Sequence, residues 1–118
     1  MQSYSAPLND MKFIIEDFLN SGAADTLFKQ NDIEIEDFNF ILDESSKFCE
    51  EILLPLNQSG DKEGCTYENG KVKTPKGFKD AYKQFVESGG QGAALDQKYG
   101  GQGLPYLFNV FFLSLIHI

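Results

Sequence analysis

Arginine and tryptophan are absent from these 118 residues, and histidine occurs once. All ten basic residues are lysine, set against eighteen carboxylates for a formal charge of −8. That balance argues against nucleic acid as a partner, because phosphate neutralisation needs a basic face and planar readout favours arginine. A histidine relay for a nucleophile is excluded too. His117 is the penultimate residue of an apolar tail and receives no functional weight. Cys49 and Cys65 are the only thiols, without the close spacing of a zinc site or a disulfide framework, and they suggest a reducing compartment. No basic stretch followed by an apolar one opens the chain, so no secretory signal is expected. The run from Phe108 to the end is apolar but too short to span a bilayer. The expected location is cytoplasmic.

What is present is helical periodicity. Pro7 suits the first turn of a helix over 7–20, where Leu8, Met11, Ile14, Ile15 and Phe18 recur at helical spacing, and Ser21-Gly22 offers a stop. A short helical segment is expected over 23–30. The strongest pattern runs over 34–54, with Asp32 as N-cap and acidic residues in the first turns. Phe38, Ile41, Leu42, Ser45, Phe48, Cys49 and Ile52 share one stripe of it, and Pro55 is expected to end it. Residues 57–75 form a polar break punctuated by Gly60, Gly64 and Asn69-Gly70. The last pair predicts a small hairpin near 65–74, too short to be stable unless it lies against helices. Pro75 opens a further helix to about Ser88 with Phe78, Ala81, Tyr82, Phe85 and Val86 inward, closed by Gly89-Gly90. A last helix begins at about Tyr106. The expected fold class is all-α with one minor hairpin, in one domain.

The acidic excess is uneven. Twelve carboxylates face Lys12, Lys29 and Lys47 between Asp10 and Glu51, whereas Lys71 to Lys83 is locally basic. Solvated helix faces of different sign account for this. Gly-Gly-Gln-Gly occurs at 89–92 and again at 100–103, which is too little for a repeat. Gly100 to Gly103 is no phosphate cradle: no strand precedes it, the third glycine of a dinucleotide fingerprint is missing, and no Gly-Lys-Ser/Thr occurs. Residues 61–64 lack the alternating acids of a calcium loop. Adjacent acids such as Glu50-Glu51 and Asp43-Glu44 sit on wet helix faces, without the contrasting environments that acid–base catalysis requires. No complete catalytic site is visible, and no catalytic, cofactor-binding or metal-binding residue is assigned.

Five segments in order resemble the acyl-CoA dehydrogenase family, in the branch that includes 3-methylmercaptopropionyl-CoA dehydrogenases. They are residues 3–13, 44–57, 60–65, 74–87 and the glycine-rich tract 99–105. The resemblance implies the helical N-terminal domain of a flavin-dependent enzyme that removes hydrogens from the α and β carbons of an acyl-CoA. It implies FAD as cofactor, an electron-transfer flavoprotein as electron acceptor, and a homo-oligomer at full length. In the family, the base and most flavin contacts belong to other domains, so none is carried over to this chain. The N-terminal domain helps to wall the acyl pocket, beginning with the helix after the glycine-rich loop.

The branch has a tryptophan after its first glycine pair, where this chain has Gln91 followed by Gly92. Tyr106 to Phe112 diverges as well, so the acyl substrate and any pocket assignment near Gln91 stay open. Residues 113–118 resemble the translation of a transposase adapter, and an ordinary apolar helix is the alternative. The expected organisation is therefore an incomplete acyl-CoA dehydrogenase N-terminal domain over 1–112 and a non-native tail over 113–118. Such a piece would be inactive alone, bind no FAD, and leave Phe108, Val110, Phe111, Phe112 and Leu113 exposed. A free-standing acidic helical interaction module is the competing expectation.

Overall fold

The computed structural model describes residues 3–19, 26, 28–29 and 32–116. Helix α1, Leu8–Phe13, runs into a wide π-helical turn, Ile14–Phe18. Met11 and Ile15 are buried, as the periodicity requires, but Ile14 and Phe18 are exposed. The reason is local. The Leu19 N–H reaches back five residues to the Ile14 carbonyl (2.9 Å), and the extra residue in the turn swings Phe18 off the stripe. The expected stop at Ser21-Gly22, most of the 23–30 segment and His117 lie outside the described residues. Phe28, from that segment, is buried.

The long central helix departs from expectation at both ends. Glu34, in extended conformation, occupies the N-cap of α2, Ile35–Lys47, while Asp32 stands at φ 53°. Pro55 does not stop the helix. A π-helical turn, Phe48–Leu53, carries α2 directly into α3, Leu54–Glu63, and Pro55 sits in the first turn of α3. A proline inside a regular helix clashes with the carbonyl four residues back and leaves it without a donor. The wide turn places that discontinuity at a new helix start, where a missing N–H costs little. Much of the expected polar break is therefore helical, and Gly60 is buried within α3.

Strands β1, Thr66–Glu68, and β2, Lys71–Lys73, pair antiparallel with Tyr67 opposite Val72. Asn69 and Gly70, at φ 51° and 76°, make the turn that the Asn-Gly signal predicts. The hairpin does not lie against helices, since all six strand residues are exposed. It is held at its base, where Pro75 is buried and the Lys76 N–H donates to Glu63 Oε2 (3.0 Å).

Helix α4, Phe78–Glu87, ends in Gly89 at φ 77°, and helix α5, Tyr106–Ile116, closes the described chain. The expected exposed patch on α5 is largely internal. Phe108 and Phe111 meet Phe38 edge-to-face at 5.9 and 6.4 Å, and Phe28 meets Phe38 at 5.2 Å. Leu115 is fully buried, leaving Val110 and Leu113 as the exposed members. The core thus joins α1, α2, both π turns and α5 around Ile15, Phe38, Leu42, Cys49 and Leu115. The N-terminal segment straps across it. Tyr4 donates its hydroxyl to the Leu115 carbonyl (2.9 Å), and the Ala6 N–H donates to Glu50 Oε1 (2.7 Å). The fold is all-α with a single small hairpin among the described residues, the class that the sequence and its resemblance to the acyl-CoA dehydrogenase N-terminal domain predict.

Candidate functional site

An apolar cleft of about 350 Å3 opens between the second π turn with α3, helix α4 and helix α5. Phe48 and Leu53 enter from the π turn, Leu56 and Asn57 from α3, and Phe112 and Ile116 from α5. Helix α4 contributes Phe78, Ala81, Tyr82 and Phe85. Sequence periodicity places these four on an inward face. Only Ala81 is buried, and Phe78 and Tyr82 are exposed, because this face borders the open cleft and not the core.

Two glycines seat the cleft side chains. A Cβ at Gly60 would lie 2.4 Å from the far edge of the Phe78 ring, and one at Gly90 would lie 2.1 Å from the Phe85 ring. Both rings therefore rest directly on backbone, at spacings where an added Cβ would force the ring to move. Phe85 then stacks between Phe48 (6.1 Å) and Phe112 (5.5 Å, 4° between planes).

The glycine-rich loop connects α4 to α5 and folds back on itself. The Gln102 N–H donates to the Gly92 carbonyl and the Leu104 N–H to that of Ala93, both at 2.9 Å. Those of Gly101 and Gly103 go to Asp96 and Leu95. The two Gly-Gly-Gln-Gly tracts, unrelated as a repeat, are thus adjacent in space, with Gly101 against the Leu95 carbonyl. The Gln102 side chain donates to the Ser88 and Gly89 carbonyls at 3.4 and 3.1 Å, capping the end of α4. Gln91, where the branch has tryptophan, donates to the Tyr82 hydroxyl at the cleft rim.

This arrangement has little reactive chemistry. Tyr82 is the one titratable side chain lining the cleft, and no carboxylate, thiol or histidine faces it among the described residues. Cys49 is buried in the core on the other side of its turn. Burial, with a smaller contribution from Glu50, pushes its thiol up to about 11. That is the behaviour of an inert thiol, not a nucleophile. Cys65 is exposed and unpaired. Residues 61–63 lie in the last turn of α3, which rules out a calcium loop there. No group of three metal-binding side chains occurs among the described residues.

The glycine-rich loop satisfies its own backbone. The N–H groups of residues 101–104 are committed to its own carbonyls, so none is left to cradle a phosphate. Leu53, Leu56 and Ile116 are cleft residues that sequence reasoning missed. The spacing of Cys49, Leu53 and Leu56 runs on at three or four residues straight through Pro55, and that continuity was the available signal.

No family profile matches the chain. Two curated relatives do. A 3-methylmercaptopropionyl-CoA dehydrogenase from Ruegeria pomeroyi is 40% identical over 103 residues, covering 87% of this chain. A butyryl-CoA dehydrogenase from Syntrophomonas wolfei is 29% identical over 91 residues, covering 74% of it. The chain spans 18% and 15% of those relatives' lengths.

Proposed function

Because this chain belongs to the acyl-CoA dehydrogenase family, we propose that it is the N-terminal helical part of a longer flavoenzyme. That enzyme dehydrogenates an acyl-CoA between its α and β carbons and delivers electrons through FAD to an electron-transfer flavoprotein. This part supplies an apolar section of the acyl-pocket wall and is inactive alone. The carrying observation is the cleft itself: a carbon-lined groove bordered by the helix that follows the glycine-rich loop, with no carboxylate, thiol or histidine on its wall among the described residues. An alkyl chain gains by leaving water for such a surface, at about 25 cal/mol per Å2 of apolar area buried. The base that takes the α proton and the flavin seat then lie in regions beyond this chain.

The longer protein is proposed to be cytoplasmic and homo-oligomeric. No helix among the described residues is long and apolar enough to cross a membrane. Residues 1–112 are proposed as the family segment and 113–118 as a non-native tail. Leu115 is buried and its carbonyl accepts from Tyr4, contacts that any apolar residue could make at that position.

Sequencing the contiguous gene past the Phe112 codon tests the proposal. Downstream coding for a flavin domain and a helical domain bearing a catalytic glutamate is expected. A native stop codon directly after Ile118 would overturn both the longer enzyme and the tail. The free-standing interaction module draws support from one observation, the closed core that α5 completes through Phe108, Phe111 and Leu115. On that reading the purified chain unfolds cooperatively as a monomer with no downstream coding sequence.

A further inference from the structure

We infer that the stacked rings of Phe48, Phe85 and Phe112 form a partition that sets how long an apolar chain the cleft accepts; this rests on the proposal that the cleft houses the acyl part of a thioester. The three rings line two spaces at once, the cleft of about 350 Å3 and a second of about 320 Å3 behind it. They come from three different elements: the second π turn, α4 and α5.

The two spaces differ in chemistry. Of the side chains in the first, only Asn57 and the Tyr82 hydroxyl are polar, whereas Glu44, Ser45 and Gln102 share the wall of the second. A short apolar chain meets carbon on most sides in the first space. A longer one must displace a ring to go further.

Two of the rings are held by close neighbours. Phe85 already occupies the space that the missing side chain of Gly90 leaves, as close as 2.1 Å to where a Cβ would stand. Phe112 is covered on another side by Phe108, with centroids 6.0 Å apart and planes within 14°. Each methylene that enters the cleft adds affinity, and the need to displace a ring towards a space walled in part by Glu44, Ser45 and Gln102 stops that gain. Affinity therefore rises with chain length and then levels at a break.

Calorimetric titration of the purified 118-residue chain with straight-chain saturated acyl-CoA thioesters of increasing length locates that break. Phe85→Ala and Phe112→Ala are titrated beside it, with folding checked by circular dichroism. Each variant is expected to move the break to a longer chain. The gain on a thioester beyond the wild-type break is about tenfold, equivalent to about 1.4 kcal/mol. Phe85→Val, a milder truncation, is scored in the same way if an alanine variant does not fold. Folded variants whose break stays at the wild-type length overturn the partition and leave the cleft proposal standing. Failure of the wild-type chain to bind any of the thioesters overturns both.

Discussion

Cys49 is a residue whose protonation is coupled to folding. Its thiol is held protonated up to about 11, against an ordinary 9.0, because burial disfavours the thiolate. Between those values the unfolded chain releases a proton that the folded chain keeps, so stability is complete below pH 9 and falls as pH rises towards 11. The loss amounts to about 3 kcal/mol. Denaturant titrations of the wild type and Cys49→Ala across pH 8–11 measure it, and equal slopes for the two proteins would refute the coupling. Glycines make a second residue-scale case, in which the nature of the neighbour decides the sign. At Gly60 the neighbour is the far edge of a half-exposed ring, and a helical Gly→Ala replacement gains up to about 1 kcal/mol of propensity. Gly60→Ala is expected to stay within about 1 kcal/mol of wild type. Gly90→Ala meets a ring fixed in a stack and is expected to cost about 1–3 kcal/mol. Gly101→Ala would put its Cβ 2.1 Å from the Leu95 carbonyl oxygen, where only backbone can move, and is expected to cost at least as much as Gly90→Ala. Thermal denaturation of the three variants ranks them.

The element that most depends on a remote side chain is α4. The carbonyls of Gln84, Phe85 and Val86 accept from Ser88 and Gly89, and those of Ser88 and Gly89, just past its last residue, accept from Gln102, fourteen and thirteen positions away across the glycine-rich loop. Gln102→Ala is expected to lower stability by about 1 kcal/mol, the net worth of exposed hydrogen bonds of this kind. Hydrogen exchange gives the sharper readout, with faster exchange concentrated in the final turn of α4; uniform acceleration over the chain would refute the capping role. The helix across Pro55 illustrates what remained illegible at this scale. A proline reads as a stop because its steric conflict is local and general. Whether a wide turn absorbs that conflict depends on Phe48, Leu53 and Leu56 finding partners on α4 and α5, which no window of sequence around Pro55 contains. The hairpin was legible for the opposite reason: the Asn69-Gly70 turn requires positive φ at both positions, and the identities of those two residues suffice.

As a whole, the molecule is a slab. Its extents are 55 × 38 × 16 Å and its radius of gyration is 16.8 Å, where a compact domain of this length has about 13–14 Å. Such a shape leaves apolar side chains uncovered, among them Phe18, Phe40, Tyr106 and Val110. With no free loop donors to hold a phosphate, the chain is expected not to retain FAD through gel filtration and to show no flavin-induced rise in Tm. Flavin absorbance co-eluting with the chain would contradict that.

Composition, periodicity and turn chemistry by themselves determined that the chain is helical, where its hairpin turns, and which stripe of α2 faces inward. These properties follow from spacing along one element and from the residues at a single turn. Tertiary structure alone decided that the helix continues through Pro55, that α5 packs into the core, and that the inward face of α4 borders a cleft. It also brought the two glycine-rich tracts side by side and set three phenylalanines from three elements into one stack. Each of those outcomes depends on contacts between segments distant in sequence, and such contacts arise only when the chain closes on itself.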